Sequence, residues 1–252
     1  MIKFEHVEKS FGRKNVLNDL NLHIKKQETV ALVGLSGAGK SVTLKHMVRL
    51  LTPTAGRVLI DGEAINEVDG EDLARIRSRF GYLFQSAALL QWLDIGENVA
   101  LPLREHTKMP NDEIVERVRA VLDKVGLLDD YHKFPSDISG GMQKRAGLAR
   151  AIITEPQIIL YDEPTSGLDP LTSRTIDELI MNLQDGLGVT SVVVTHDMIS
   201  ALKVADRIFM LHMGRLEEVN EPEAFLRTDN KVVRSFLDAQ HIDPDFLVGR
   251  TL

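Results

Sequence analysis

The chain of 252 residues contains no cysteine. That excludes a disulfide framework, a thiolate metal site and a cysteine nucleophile, and it agrees with a reducing compartment. Positive charge is not in excess. There are 30 Lys and Arg against 37 Asp and Glu, for a net charge of -7. A chain this acidic is poorly suited to holding DNA or anionic lipid over its whole surface, although a local basic patch is compatible with the balance. No nucleic-acid partner is expected. Long apolar runs are missing too: none approaches the ~18–20 residues that span a bilayer. The opening "MIKFEHVEKSFG" lacks the apolar core of a signal peptide. The expectation is a soluble chain whose link to a membrane runs through a partner. There is no internal repeat and no low-complexity stretch. What remains is ordinary for a globular protein: 43% hydrophobic and 27% charged residues, at a length that suits one large or two small domains.

The first third is rich in strands. "IKFEHV", "LNLHIK", "TVALVG" and "GRVLIDG" are short, rich in β-branched residues and bounded by polar residues or glycine. One helix, "KSVTLKHMVRLL", interrupts them and is expected to end before Pro53. From about Gln85 to Pro156 the pattern turns helical. Ile114, Val115, Val118, Val121, Leu122 and Val125 recur with helical period, with Asn111 as expected N-cap and Gly126 near the C-terminus. Alternation then returns. "QIILYDE" and "TSVVVTHD" are apolar strands around the helix "DPLTSRTIDELIMNLQDGLG", in which Asp169 is the expected N-cap and Pro170 the first residue. Strands without internal alternation, separated by helices, imply a parallel sheet covered on both faces. "RIFMLHMGRLEEV" reads as a hairpin around Gly214, and the chain from Glu221 is helical, then irregular.

"GLSGAGKS", Gly34 to Ser41, satisfies G-x-x-x-x-G-K-[ST] in full, after a strand and at the start of a helix. Gly34, Gly37 and Gly39 allow a tight turn whose N–H groups face phosphate oxygens. Lys40 is expected to reach the β- and γ-phosphates, and Ser41 to offer its hydroxyl to Mg²⁺. "IILYDEP" ends in Asp162 and Glu163 at the C-terminal end of a strand, where open α/β sheets bind ligands. Asp162 suits the Mg²⁺ shell. Glu163, expected to point elsewhere by strand alternation, suits a general base that orients and deprotonates water. His196 follows "SVVVT" at the same sheet edge if the strands are parallel, in reach of a γ-phosphate or the attacking water. A histidine ahead of an N-cap aspartate, here Asp197, is more often structural. Gln85 ends "GYLFQ", and a lone glutamine there says little. A second anion-suited helix start opens "DISGGMQKRAGLARAI", at Gly140 and Gly141.

Together these pieces resemble the nucleotide-binding subunit of ABC transporters, from about Ile2 to Leu226. The most specific element is "ISGGMQKR", similar to the family's LSGGQ signature, upstream of the Asp–Glu strand as in the family. The resemblance implies a P-loop NTPase of α/β class: a mostly parallel core sheet, an N-terminal antiparallel β subdomain and an inserted helical subdomain. The implied division is 1–84 for the first part of the core, 85–156 for the helical signature subdomain, 157–220 for the second part of the core and 221–252 for a helical tail. ATP and Mg²⁺ are the implied ligands. Gly34, Leu35, Ser36, Gly37, Ala38, Gly39, Lys40, Ser41 and Val42 would hold ATP, with Phe11 stacking on adenine. Ser41, Gln85 and Asp162 would hold the metal, Gln85 as the Q-loop residue, and His196 would be the switch histidine. Ser139, Gly140, Gly141 and Met142 look like the signature, and Ser166, Gly167, Leu168 and Asp169 like the D-loop. In this family two subunits pair head to tail, and the signature of one faces the ATP held by the phosphate loop of the other. That explains two phosphate-facing helix starts in one chain.

Met142 stands where the family often has Gln, and Ile138 where it has Leu. Met142, "FQSAALL" (84–90) and "VALPLREHT" (99–107) resemble the Mla/Mce-type branch, which serves transporters of lipids and other hydrophobic compounds. The implied partners are a second copy of the chain and a multi-span permease. A Mce-type substrate-binding protein and a small regulatory subunit are further implied partners. The implied location is the cytoplasmic face of the inner membrane. "AALLQWLDIGENVALPL" reads either as helical core or as a groove for a permease's coupling helix with Leu89, Leu90 and Trp92 exposed. The tail reads either as a helix on its own core, Val232 to Leu237, or as a piece, with Phe246 and Leu247, that packs on a partner. Competing classes fare worse. A GTPase needs N-K-x-D, and "NKVV" at Asn230 lacks the aspartate. A small-molecule kinase has no use for the signature. DNA-repair ATPases need long coiled-coil insertions, and translation members usually carry two such domains. A soluble ATPase of cofactor assembly, or an ABC transporter ATPase for another cargo, stays as the alternative.

Overall fold

Buried and exposed side chains alternate along the first strands and build a sheet with one apolar face. The computed structural model describes residues 1–243. Strands β1 (Ile2–Phe11) and β2 (Lys14–Ile24) form a hairpin in which Ile2 faces Ile24 and Phe4 faces Leu22. After β3 (Thr29–Val33) and helix α1 (Lys40–Met47) come β4 (Ala55–Ile60), antiparallel to β1, β5 (Glu63–Ala64) and α2 (Gly70–Arg77). Helix α1 stops well short of Pro53. Arg49 takes a left-handed φ of 52°, its N–H reaches the His46 carbonyl (3.1 Å), and the Leu50 N–H reaches Lys45 (2.8 Å), which caps the helix. Arg77 of α2 donates to the carbonyls of Val48 and Arg49 and holds that end.

The chain divides into two compact units, Met1–Arg77 with the stretch from Thr190 onward, and Ser78–Val189. The second unit contains β6 (Phe80–Leu83), α3 (Ile95–His106), α4 (Asn111–Lys124), α5 (Gly140–Ile152), β7 (Ile158–Asp162) and α6 (Pro170–Leu187), with β6 parallel to β7. Its helical core joins Val99 and Leu103 of α3, Val118 and Leu122 of α4, and Ala146 and Ala149 of α5. Asn111 is the first residue of α4 rather than its cap. The extended Pro110 precedes it, and the Pro110 carbonyl accepts the Ile114 N–H at 3.1 Å. Asp169 caps α6, with Pro170 as its first residue. The segment before α3 is largely inward-facing: Leu89 is buried and Leu90 half-buried, because the buried Asn98 bonds the backbone of Leu90, Leu93 and Asp94. Trp92 alone of the three is exposed, at 73%.

The chain returns to the first unit with β8 (Thr190–Val194), α7 (Met198–Val204), β9 (Arg207–His212), β10 (Arg215–Asn220), α8 (Pro222–Leu226) and α9 (Lys231–Ala239). Strand β3 is buried at every residue and lies between β8 and β9, parallel to both. Met213 and Gly214, both at positive φ, make the tight β9–β10 turn. Phe225, Val233, Phe236 and Leu237 pack with Val33, Ala201 and Met210, so this part of the tail docks on its own unit. Phe246 and Leu247 lie outside the described residues.

Candidate functional site

The phosphate-loop glycines have distinct jobs. Gly34 has φ 148°, and a Cβ there would lie 2.2 Å from the Leu211 carbonyl oxygen. Gly39, the left-handed N-cap of α1, would meet Leu17 at 2.8 Å. Gly37, at φ 81°, has open space around it. Two glycines therefore let the loop press on its own unit, and the third leaves room on the outside. Leu35, Ser36 and Gly37 are exposed, Ala38 and Lys40 are buried, and Ser41 and Val42 are half-buried in the first turn of α1. Lys40 Nζ donates to the Gly34 carbonyl at 2.8 Å, which folds the ammonium over the loop. No side chain caps α1, so the positive end of the helix stays open to an anion.

His196 belongs to the same unit. Leu32 pairs with Val194, so the loop after β3 and His196 after β8 leave adjacent parallel strands at one edge. His196 is exposed, and Asp197 after it caps α7 through the Ile199 and Ser200 N–H groups. Phe11 stands on the other sheet, at the tip of the β1–β2 hairpin. It is 47% exposed, with the Lys9 ammonium 5.1 Å from its ring centre.

The second unit brings Gln85, Asp162 and Glu163 to one edge, because Leu83 pairs with Tyr161. Asp162 is buried, and the Tyr82 hydroxyl approaches Oδ2 at 3.5 Å. Burial, then the Asp162 charge, pushes the Tyr82 phenol up, so it stays a donor at neutral pH. Glu163 does not continue the strand. Its φ of 51° is left-handed, a conformation that costs a non-glycine residue roughly 1–2 kcal/mol, and it is this turn, not alternation, that separates it from Asp162. Two donors hold its carbonyl: the Ser166 N–H at 3.2 Å and the Lys144 ammonium at 2.9 Å. Lys144 also donates to the Gln85 carbonyl at 2.5 Å. Burial pulls the Lys144 ammonium below the usual lysine range, against the carboxylates of Glu163 and Asp162.

Ser139 is the N-cap of α5, and its hydroxyl accepts the Met142 N–H at 3.3 Å. Ser139 and Gly140 are exposed; a Cβ on Gly140 would have room, whereas one on Gly141 would meet Thr172 of α6 at 2.3 Å. Met142 is half-buried and packs on the helical core. In the D-loop segment Gly167 is exposed, at φ 77°, and Asp169 Oδ1 accepts the Leu171 and Thr172 N–H groups. Sequence reasoning missed Lys144, Tyr82 and Arg150; Arg150 donates to the carbonyls of Ala87 and Ala88, both left-handed. The signal for Lys144 and Arg150 was present. In "QKRAGLARAI" the intervening residues are small or apolar and buried, so the basic groups need partners inside.

Among the described residues no cluster of three or more His, Asp or Glu side chains is arranged to hold a metal. The Ser41 hydroxyl, the Gln85 amide oxygen and the Asp162 carboxylate are hard oxygen donors. Oxygen donors of this kind suit Mg²⁺, which in phosphoryl transfer takes one or two carboxylates and completes its shell with phosphates and water. No helix among the described residues is long and apolar enough to cross a membrane.

Comparison with known proteins gives the same picture. Residues 17–166 match the family described as ABC transporter. A probable ribonucleotide transport ATP-binding protein, mkl, of Mycobacterium leprae is 44% identical over 243 residues, 96% of this chain and 70% of the relative. The methionine import ATP-binding protein MetN of Xanthomonas euvesicatoria is 40% identical over 249 residues, 96% of this chain and 74% of the relative. A dimeric ATP-binding cassette solved in a post-hydrolysis state with ADP and phosphate superposes with a TM-score of 0.82 at 36% identity, covering 88% of this chain and 99% of that one. The chain therefore belongs to the ABC transporter family, as an ATP-binding and ATP-hydrolysing subunit.

Proposed function

We propose that this subunit binds and hydrolyses ATP in a head-to-tail pair of identical chains, and that the pair drives a membrane permease moving a phospholipid or other hydrophobic compound. The observation that carries the pairing is the duplication of anion-suited helix starts. The Gly39 end of α1 has no side-chain cap, and the Ser139–Gly140 end of α5 is exposed with free space around Gly140. One chain needs one phosphate cradle per ATP, and a second finds its use on the partner's ATP. The likeness to a dimeric cassette holding ADP and phosphate supports this.

In this reading Lys40 and the loop from Gly34 to Val42 hold the β- and γ-phosphates, and Phe11 stacks on the base. Glu163 takes a proton from water as the water oxygen bonds to the γ-phosphorus. The bond from that phosphorus to the β–γ bridging oxygen breaks, leaving ADP and phosphate. Ser41, Gln85 and Asp162 would hold Mg²⁺, which when bound would supply charge neutralisation to the phosphates. His196 touches the γ-phosphate. Ser139, Gly140, Gly141 and Met142 of the partner close on that phosphate, and Ser166 to Asp169 line the contact between copies. Loss of the γ-phosphate removes the shared ligand and releases the pair.

The relatives' names give different cargoes, ribonucleotide and methionine, so overall similarity speaks for the motor and not for its load. The lipid reading rests on Met142 and on the segments 84–90 and 99–107. It places the chain on the cytoplasmic face of an inner membrane through a permease, with a Mce-type protein and a small regulatory subunit as further partners. Lys40→Ala tests the motor. Losing a charged hydrogen-bond donor should weaken ATP binding about 10-fold or more, and unchanged affinity would remove Lys40 from the cradle. Purification of the tagged chain from detergent-solubilised membranes, with mass spectrometry, tests the load. A multi-span protein with bound phospholipid supports it, and a soluble complex with no membrane protein overturns it.

A further inference from the structure

Lys144 is 5% exposed, and its ammonium bonds two main-chain carbonyls distant in sequence, Gln85 at 2.5 Å and Glu163 at 2.9 Å. Both residues it touches lie at strand ends of the same edge, and both belong to the hydrolytic machinery of the proposed reaction. Glu163 needs holding: its left-handed turn is sparsely populated by residues with a Cβ and persists where neighbours over-determine it. The lysine comes from α5, five positions after Ser139, the cap that opens the same helix. A buried cation must be bonded to be tolerated, and the carbonyl pair is what bonds it.

We propose that Lys144 is a positioning residue for hydrolysis: its ammonium locks the backbone of Glu163 and Gln85 to the signature helix, so that seating of Ser139–Gly140 on the partner's ATP sets the base for the chain's own ATP. The two half-sites of one chain are thereby linked by a single side chain. This rests on the proposed role of Glu163 as base.

The link separates chemistry from binding. Lys144→Met keeps the length of the stem and removes the donor. In the full-length chain it should leave the Kd for ATP and the KM within about 2-fold and lower kcat on the order of 10- to 100-fold, the scale of a catalytic group displaced by about 1 Å. Lys144→Gln, which retains a donor, should recover part of the rate. Circular dichroism and thermal melting accompany both variants. If Lys144→Met melts far below the wild type, Lys144→Gln carries the test, and its kcat should then fall below wild type with KM unchanged. A kcat within 2-fold of wild type in a folded Lys144→Met chain, or a loss of ATP affinity matching the loss of rate in either variant, overturns the proposal. Glu163→Gln measured beside them keeps the two assignments apart. Turnover at the wild-type rate in that variant refutes the base, whereas normal turnover in Lys144→Met with a dead Glu163→Gln refutes the link alone.

Discussion

A buried ionised side chain reports where a fold depends on one contact. Glu28 is 8% exposed; it accepts the Lys25 N–H at 2.8 Å and pairs with Arg207, whose Nη2 lies 2.8 Å from Oε2. Burial pushes its carboxyl up, but the Arg207 guanidinium and the Lys25 N–H outweigh that and hold it below its ordinary value. A depressed folded value means that the stabilisation is complete above the usual carboxylate range and is lost as pH falls through the folded value. Glu28→Gln should therefore cost about 1–3 kcal/mol at pH 7. The gap in urea midpoint between variant and wild type should narrow as pH falls below the usual carboxylate range, and close only below the depressed folded value, where the wild-type carboxyl is itself neutral. A gap that stays constant from pH 7 to pH 3 would show that charge is not what Glu28 contributes. The same physics explains which residues could be named in advance. Lys40, Asp162 and Glu163 stand in a motif or at a strand end, where type and spacing are enough. Lys144 and Tyr82 act through contacts with Gln85, Glu163 and Asp162 that only the folded chain brings together.

At the scale of elements, the two signature glycines should part company. Gly141 faces Thr172 of α6, and a Cβ would overlap it. Gly141→Ala should destabilise the chain by about 1–3 kcal/mol through overpacking. Gly140→Ala, with room for its methyl, should leave the melting temperature near wild type. If it faces the partner's nucleotide it should still lower hydrolysis. Equal melting temperatures for the two variants would show that α5 and α6 can part to admit a methyl. Elements with strong local signals were legible: the buried strands β3, β7 and β8, the phosphate loop, the caps at Asp169 and Asp197 and the turn at Met213–Gly214. Helix α2 was not, because it is eight residues long and Leu73 and Ile76 are too short an apolar face for a helical period to show. The end of α1 was misplaced because Arg49, with no glycine to mark it, takes the left-handed capping position. Whether Leu89 faces core or solvent stayed open in the sequence, because its spacing alone does not reveal that Asn98, nine residues on, ties the neighbouring backbone inward.

At the scale of the whole molecule, family membership fixes the reaction, and the proposed head-to-tail pairing accounts for why one chain carries two phosphate-facing helix starts. In the proposed pair, ATP held between copies acts as a reversible link, made by binding and broken by hydrolysis. The most direct test of that account blocks hydrolysis and leaves binding intact. Glu163→Gln should bind ATP as the wild type does while its turnover falls on the order of 10²- to 10⁴-fold, the contribution of a general base. With ATP and Mg²⁺ it should elute from a sizing column as a dimer with about one nucleotide per chain, and return to monomer when ADP replaces ATP. A Glu163→Gln chain that remains monomeric with ATP bound, or that hydrolyses ATP at the wild-type rate, would contradict the account.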